Sequence, residues 1–232
     1  MARQPFCVER SGKMQPQRRT NYAKRLEYLI NKLGGTRPSL LLHACCAPCT
    51  SACIELLAEH FDVTLLFYNP NIYPEEEYGL RAAELKRLIG ELELKSEVHT
   101  VIDDYNPLEF YDAVKGVESA KEGGERCDRC FRLRLGRAAE YAAAHGFDYF
   151  CTTLTTGTRK NEQHINRIGE ELSELYAVKS LPADFKKKGG FDRSLEMSKQ
   201  HGLYRQSYCG CVFSLREAQE REQCGKHTEG EE

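Results

Sequence analysis

Seven cysteines stand in three tight groups far apart along this chain: Cys45-Cys46-x-x-Cys49, Cys127-x-x-Cys130 and Cys209-x-Cys211. Thiolates at such spacings hold soft metals or iron–sulfur clusters, and paired thiols also cycle as dithiols. A fold that uses these groups together must carry distant loops to one place.

The cysteine count reaches eleven in 232 residues. Met1–Arg19 is polar and basic and holds no apolar core of a secretory signal. No run approaches the ~18 apolar residues of a membrane span. A cytoplasmic location follows as the expectation, and the cytosol keeps thiols reduced. The odd count also argues against full pairing, so metal or redox chemistry is the reading to pursue. Net charge is −2. A nucleic-acid partner must therefore meet a local basic patch rather than a global field.

Apolar runs and helical spacings alternate. Tyr22, Leu26, Leu29, Ile30 and Leu33 predict a helix ended by Gly34-Gly35. Strands are expected at Leu40–Ala44, Val63–Tyr68, Glu97–Ile102, Phe147–Thr153 and Ala177–Leu181. Helices are expected at Thr50–Glu59, Glu75–Ile89, Pro107–Gly116, Cys130–Ala144, Lys160–Leu172, Ser194–Gln200 and Phe213–Arg221. This alternation predicts an α/β fold, a Rossmann-like parallel sheet flanked by helices, with a helical C-terminal part. Residues 1–38 read as an extension made of a disordered start and one helix. Residues 39–221 read as a single α/β metal-binding domain, and 222–232 as a disordered, charged tail. Ligands of such sheets bind at the carboxyl ends of the strands. Cys45-Cys46, Tyr68–Asn71 and Thr152–Thr156 all fall at such ends.

Adjacent Cys45 and Cys46 leave an extended backbone on opposite sides, so they reach one centre only if the chain turns at Ala47-Pro48. A helix start there also favours thiolates. Cys127-x-x-Cys130 suits a redox dithiol, half a zinc site or half a cluster site. With Cys45 and Cys46 it makes the four thiolates that a [4Fe–4S] cluster needs. Arg126, Arg129, Arg132 and Arg134 either offset cluster charge, meet phosphates or, for most of them, form a solvated helix face. Cys209-Gly210-Cys211 closes too short a loop for stapling, which favours a redox or ligand role. Cys53 and Cys151 read as core or support, and His43 as a packed histidine. Lys160, Arg167, Lys186, Lys187, Lys188 and Arg193, with Tyr204, Arg205 and Tyr208, suit a phosphate backbone and stacked bases.

Several segments together resemble a known family. They are Leu42-His43-Ala44-Cys45-Cys46-Ala47-Pro48-Cys49, Tyr68-Asn69-Pro70-Asn71-Ile72-Tyr73-Pro74, Glu77-Tyr78-x-x-Arg81, Gly123-Gly124-x-Arg126-Cys127-x-x-Cys130, Thr152-Thr153-Leu154, Phe185-Lys186-Lys187 and Tyr208-Cys209-Gly210-Cys211. The combination is similar to the QueH family of epoxyqueuosine reductases over about residues 39–216. The resemblance implies a fold related to the adenine-nucleotide α-hydrolase and PP-loop group. It implies removal of the epoxide oxygen from epoxyqueuosine in a tRNA anticodon loop, the last step to queuosine, with electrons from a donor that these residues do not identify. It implies a [4Fe–4S] cluster on Cys45, Cys46, Cys127 and Cys130. It also implies a second iron, with Cys209 and Cys211 as its ligands or as the redox-active catalytic pair. Some members carry Asp at the position of Cys49, which makes Cys49 a further ligand of that metal. Tyr68, Asn69, Asn71, Tyr73, Arg81, Lys186 and Lys187 are the substrate-binding candidates, and Tyr73 or Tyr208 the candidate proton donor. One departure stands out: where the family carries a Ser-Pro-containing stretch, this chain reads Thr155-Thr156-Gly157-Thr158.

Two other readings compete. A PP-loop-like tRNA-thiolating enzyme needs a Ser-Gly-Gly-x-Asp-Ser phosphate loop after the first strand, where this chain has Cys45-Cys46-Ala47-Pro48-Cys49. A non-catalytic zinc module that binds nucleic acid fits four thiolates but leaves Cys209-Gly210-Cys211 unexplained.

Overall fold

The computed structural model describes residues 19–228, with side chains through Gln223. Strand β1 (Ser39–His43) is buried on both faces. Side chains alternate across a strand. Leu40 and Leu42 therefore enter one apolar layer with Ile54, Leu57, Leu65 and Phe67. Leu41 enters the other, with Leu66, Leu135 and Phe150. Double burial is why the run is continuously apolar rather than alternating.

The chain order is α1 (Tyr22–Lys32), β1, α2 (Ala47–Leu57), β2 (Asp62–Phe67), α3 (Glu75–Glu91), β3 (His99–Ile102), α4 (Pro107–Ala113) and α5 (Glu125–Ala144). It continues with β4 (Tyr149–Thr152), a 3-10 turn (Thr153–Thr156), α6 (Glu162–Tyr176), β5 (Lys179–Ser180), α7 (Gly190–Gln200) and α8 (Val212–Thr228). All strands are parallel, in the order β3-β2-β1-β4-β5. This is the doubly wound Rossmann arrangement, and its topological switch lies between β1 and β4. The expected α/β class is thus the observed one. Helices α5 and α6 supply the layer with Leu135, Ile165 and Leu172. Helices α1, α2 and α3 supply the layer with Leu26, Ile54 and Leu85.

Several boundaries depart from the sequence reading. Helix α5 begins at Glu125 rather than Cys130, capped at Gly124 with Glu125 and Asp128 in its first turn. Acidic side chains suit a helix N-terminus, so what reads as a charged loop is helix. Helix α7 begins at Gly190 rather than Ser194. Strand β5 shortens to two residues because Ala177 leaves α6 in a left-handed conformation. Helix α8 runs through residues 222–228, which read as tail; Glu, Arg, Gln and Lys are good helix formers. Helix α1, read as part of an extension, buries Tyr22 and Leu26 and pairs Arg25 with Glu170 of α6. The polar start at 1–18 and residues 229–232 lie outside the described residues.

Asn166 on α6 secures the segment after β5. Its Nδ2 donates to the Glu162 and Ala183 carbonyls, and its Oδ1 accepts from the Ala183 N–H. Asn166→Ala strands both backbone groups of Ala183, at an expected cost of about 2 kcal/mol. The melting temperature should fall by roughly 4–8 °C, and an unchanged thermal melt would remove this role.

Candidate metal centre

The β1–α2 connection turns sharply because Cys46 is extended (φ −173°, ψ 162°) and Pro48 occupies the first turn of α2. That turn is the one the adjacent cysteines require. Cys45 Sγ lies 3.8 Å from Cys46 Sγ. The sulfurs of Cys45, Cys46 and Cys49 all lie within 4.8 Å of one another. Cys49 therefore joins the first two thiols spatially. Thr153, at the end of β4, crosses the switch point. Its hydroxyl accepts from the Cys45 N–H at 3.2 Å and stands 3.3 Å from Cys45 Sγ. Thr156 donates to the Cys49 carbonyl and Thr155 accepts from the Phe185 N–H. Thr156, within the stretch that departs from the family pattern, thus braces the thiol loop together with Thr153.

The other thiols stand on α5 and on the segment before α8, and they pair across those two elements. Cys127 packs against the layer that holds Cys45 and Cys46. Cys130 and Cys211 share a small apolar cluster with Phe110 and Val114. Cys127 and Cys209 line one cavity of about 250 Å³ with Phe131, Lys160 and His164. The Gly123 N–H donates to Cys127 Sγ at 3.2 Å. Gly210, at φ +141°, lets the last pair turn. Arg81 donates to the Cys209 carbonyl, the Tyr73 N–H to the Gly210 carbonyl, and the Ser214 N–H to Cys211 Sγ. All nine cysteines that the structure describes are free thiols.

One thiol of the first group ionises at the expense of its neighbours. Hydrogen bonds from Cys46 and then Cys49 hold Cys45 well below the ordinary thiol range. The same contact with Cys45 pushes Cys46 up to about 12, and Cys45 and Cys46 together raise Cys49 well above its usual value. Burial pushes Cys130 up to about 12 and also raises Cys127. A metal must therefore displace protons when it binds. Burial opposes the charge on Lys160, yet Cys209, Cys45 and Cys49 around it raise its pKa on balance. His43 is lowered to about 4 by burial and then by Arg134. It stays neutral, and its Nε2–H donates to the Tyr68 carbonyl at 3.0 Å.

The three gathered thiols Cys45, Cys46 and Cys49 suit the metal or iron–sulfur cluster that the family resemblance implies. The substrate candidates divide. Tyr73 is 44% exposed beside the Cys209–Cys211 pair. Asn69 and Asn71 are buried, and Asn69 Nδ2 is spent on the Ala44 carbonyl. Tyr68 is buried too, and its hydroxyl donates to Glu109. Arg81 is buried, paired with Glu77, and stacked under Tyr208 at 5.1 Å. Lys186 is committed to Glu162 and Asp184. Lys187 lines a separate groove with Glu27 and Arg193. Tyr208 donates to the Tyr73 carbonyl, and burial followed by Glu77 pushes its phenol up to about 12. Half of the basic set is paired: Lys186 with Glu162, Lys188 with Glu27 and Arg193 with Glu55. Sequence reasoning did not single out Thr153 or separate Arg134 from its neighbours. For Arg134 a signal existed: Arg126, Cys130 and Arg134 recur every four residues, so they share one helix face.

The family model described as epoxyqueuosine reductase QueH matches residues 40–217, a span that holds all seven clustered thiols. The chain belongs to the QueH family. Similar proteins carry the same description, epoxyqueuosine reductase QueH. One from Streptococcus pyogenes serotype M1 is 40% identical over 88% of this chain and 81% of its own length. One from Staphylococcus aureus (strain Mu50) is 41% identical over 84% of this chain and 83% of its own. One from Thermotoga maritima is 38% identical over 79% of this chain and 93% of its own. Among solved structures, the U34-tRNA thiolase NcsA from Methanococcus maripaludis with its [4Fe-4S] cluster aligns with 89% of this chain and 73% of that chain. Its TM-score is 0.48 and its identity 13%, too remote to bear on QueH chemistry. Among the described residues, no helix is long and apolar enough to cross a membrane.

Proposed function

We propose that this chain is a cytoplasmic epoxyqueuosine reductase that converts epoxyqueuosine in the tRNA anticodon loop to queuosine. The observation that carries this reading is that, in a QueH-family chain, the sulfurs of Cys45, Cys46 and Cys49 gather within 4.8 Å of one another just after β1, at the switch point of the sheet. The reaction takes two electrons and two protons, breaks both C–O bonds of the epoxide, leaves an alkene and releases water. Cys45, Cys46, Cys127 and Cys130 would hold the [4Fe–4S] cluster, and Cys49, Cys209 and Cys211 a second iron. A cluster held there would supply single electrons, and a second iron would supply Lewis acidity toward the epoxide oxygen.

The chain's own residues position and exclude. Arg81, Ser214 and the Tyr73 N–H fix the Cys209–Cys211 turn. Tyr73 offers an exposed ring beside that turn, suited to stack on a base splayed from the anticodon loop. Tyr208 already donates to a carbonyl, so Tyr73 is the better placed of the two proton-donor candidates.

Anaerobically purified protein should show a broad band near ~400 nm that bleaches with dithionite. Its iron should exceed what one cluster holds, and it should convert epoxyqueuosine in tRNA. Chelation that strips the iron should abolish conversion. A colourless protein that carries zinc alone and leaves the substrate unchanged would overturn the proposal.

A further inference from the structure

Three arginines are buried around the thiols, and the fold treats them differently. Arg81 has Glu77 at 2.7 Å and Arg126 has Glu217 at 2.6 Å. Arg134, 1% exposed, has no carboxylate within 4.0 Å among the described residues. Its Nε donates to the Cys130 carbonyl at 3.3 Å and one terminal nitrogen to Asn69 Oδ1 at 3.4 Å, both long. The other terminal nitrogen is buried and has no acceptor.

A buried charge without a partner costs several kcal/mol. The fold supplies glutamates to its other two buried arginines, so this omission needs a reason. The groups whose ionisation would favour the charge on Arg134 are the thiols Cys130, Cys209, Cys45 and Cys127. Cys130 and Cys127 stand on the same helix as Arg134, about one and two turns before it. Metal that binds these cysteines holds them as thiolates and gathers negative charge beside the guanidinium. The guanidinium is also held in place beforehand: Asn69 spends its Nδ2 on the Ala44 carbonyl, which leaves Oδ1 for Arg134.

We propose that Arg134 is the fixed counter-charge of the thiolate centre, with its idle nitrogen donating to a thiolate or sulfide sulfur, so that it positions and tunes the redox group. This rests on the reductase reading above. Reduction adds negative charge, and a fixed buried cation favours the reduced form. Removing that cation shifts the potential in the negative direction.

The test compares wild type, Arg134→Met and Arg134→Lys, each reconstituted anaerobically with iron and sulfide. Redox titration follows the visible band, and iron content is measured alongside. The methionine variant should shift the oxidised-to-reduced ratio at least tenfold, about 59 mV more negative for one electron. The lysine variant, which keeps the charge, should lie closer to wild type. A purely structural arginine would lower the melting temperature of Arg134→Met and leave its potential unchanged, and that result overturns the proposal. If the methionine variant takes up no iron, the lysine variant decides. Iron retained by lysine supports a charge role, and iron lost from both folded variants overturns it. A wild type that takes up no cluster overturns this proposal and the reductase reading together, whereas a loaded wild type with an unshifted methionine variant overturns this one alone.

Discussion

Cys45→Ala is expected to lose its cluster and at least about a thousandfold in activity, on the order of 4 kcal/mol of barrier, while Cys151→Ala keeps both. Cys45 stands at the carboxyl end of the central strand. It touches Cys46, accepts a hydrogen bond from Thr153, and is the one thiol of its group that its neighbours help to ionise. Removing it takes away a proposed ligand and the acceptor for Cys46 and Cys49 in one change. Cys151 is as deeply buried, yet it donates to the Leu181 carbonyl and lies in the apolar layer on the opposite face. Its replacement should cost about 1 kcal/mol through lost packing alone. Iron analysis and tRNA turnover on both variants make the comparison. Wild-type iron in Cys45→Ala would remove that residue from the ligand set.

Gly210→Ala is expected to cut activity by about a hundredfold or more while the sheet stays folded. At φ +141° an L side chain is strained, at about 1–3 kcal/mol. The added Cβ would also come within 3.1–3.2 Å of Asn71 Nδ2, an Arg81 terminal nitrogen and Ile72 Cγ1. All three side chains are buried and cannot retreat into solvent. The turn must give instead, which moves Cys209 off Arg81 and the Gly210 carbonyl off the Tyr73 N–H. Turnover and iron content, read beside a far-UV circular dichroism melt, separate a displaced turn from global unfolding. Full turnover in this variant would mean that the geometry of the last thiol pair is not used.

The parts of the fold legible in the sequence are those that burial makes monotonous. Leu40-Leu41-Leu42 and Leu65-Leu66-Phe67 are apolar on both faces, so the strands stand out. The cysteine groups are legible because their spacing is unusual for any packing purpose. The start of α5 is not, since Glu125–Arg129 looks like loop until Gly124 is seen to cap it. Partners across the fold are also hidden. Lys186 reads as a substrate contact and, from the turn before α7, pairs with Glu162 of α6. Arg81 reads as a substrate contact, and in the fold it donates to the Cys209 carbonyl. Such pairings depend on which loops the topology brings together, and local periodicity carries no record of that.

The thiols come from the first, middle and last thirds of the chain. Whatever they grip in common is a cross-link that closes two loops of roughly eighty residues each, and long-range links restrict an unfolded chain more than local ones. A centre gripped by all three groups would hold part of the protein's mechanical integrity. Oxygen that dismantled its inorganic part would loosen the scaffold as well, joining inactivation to unfolding.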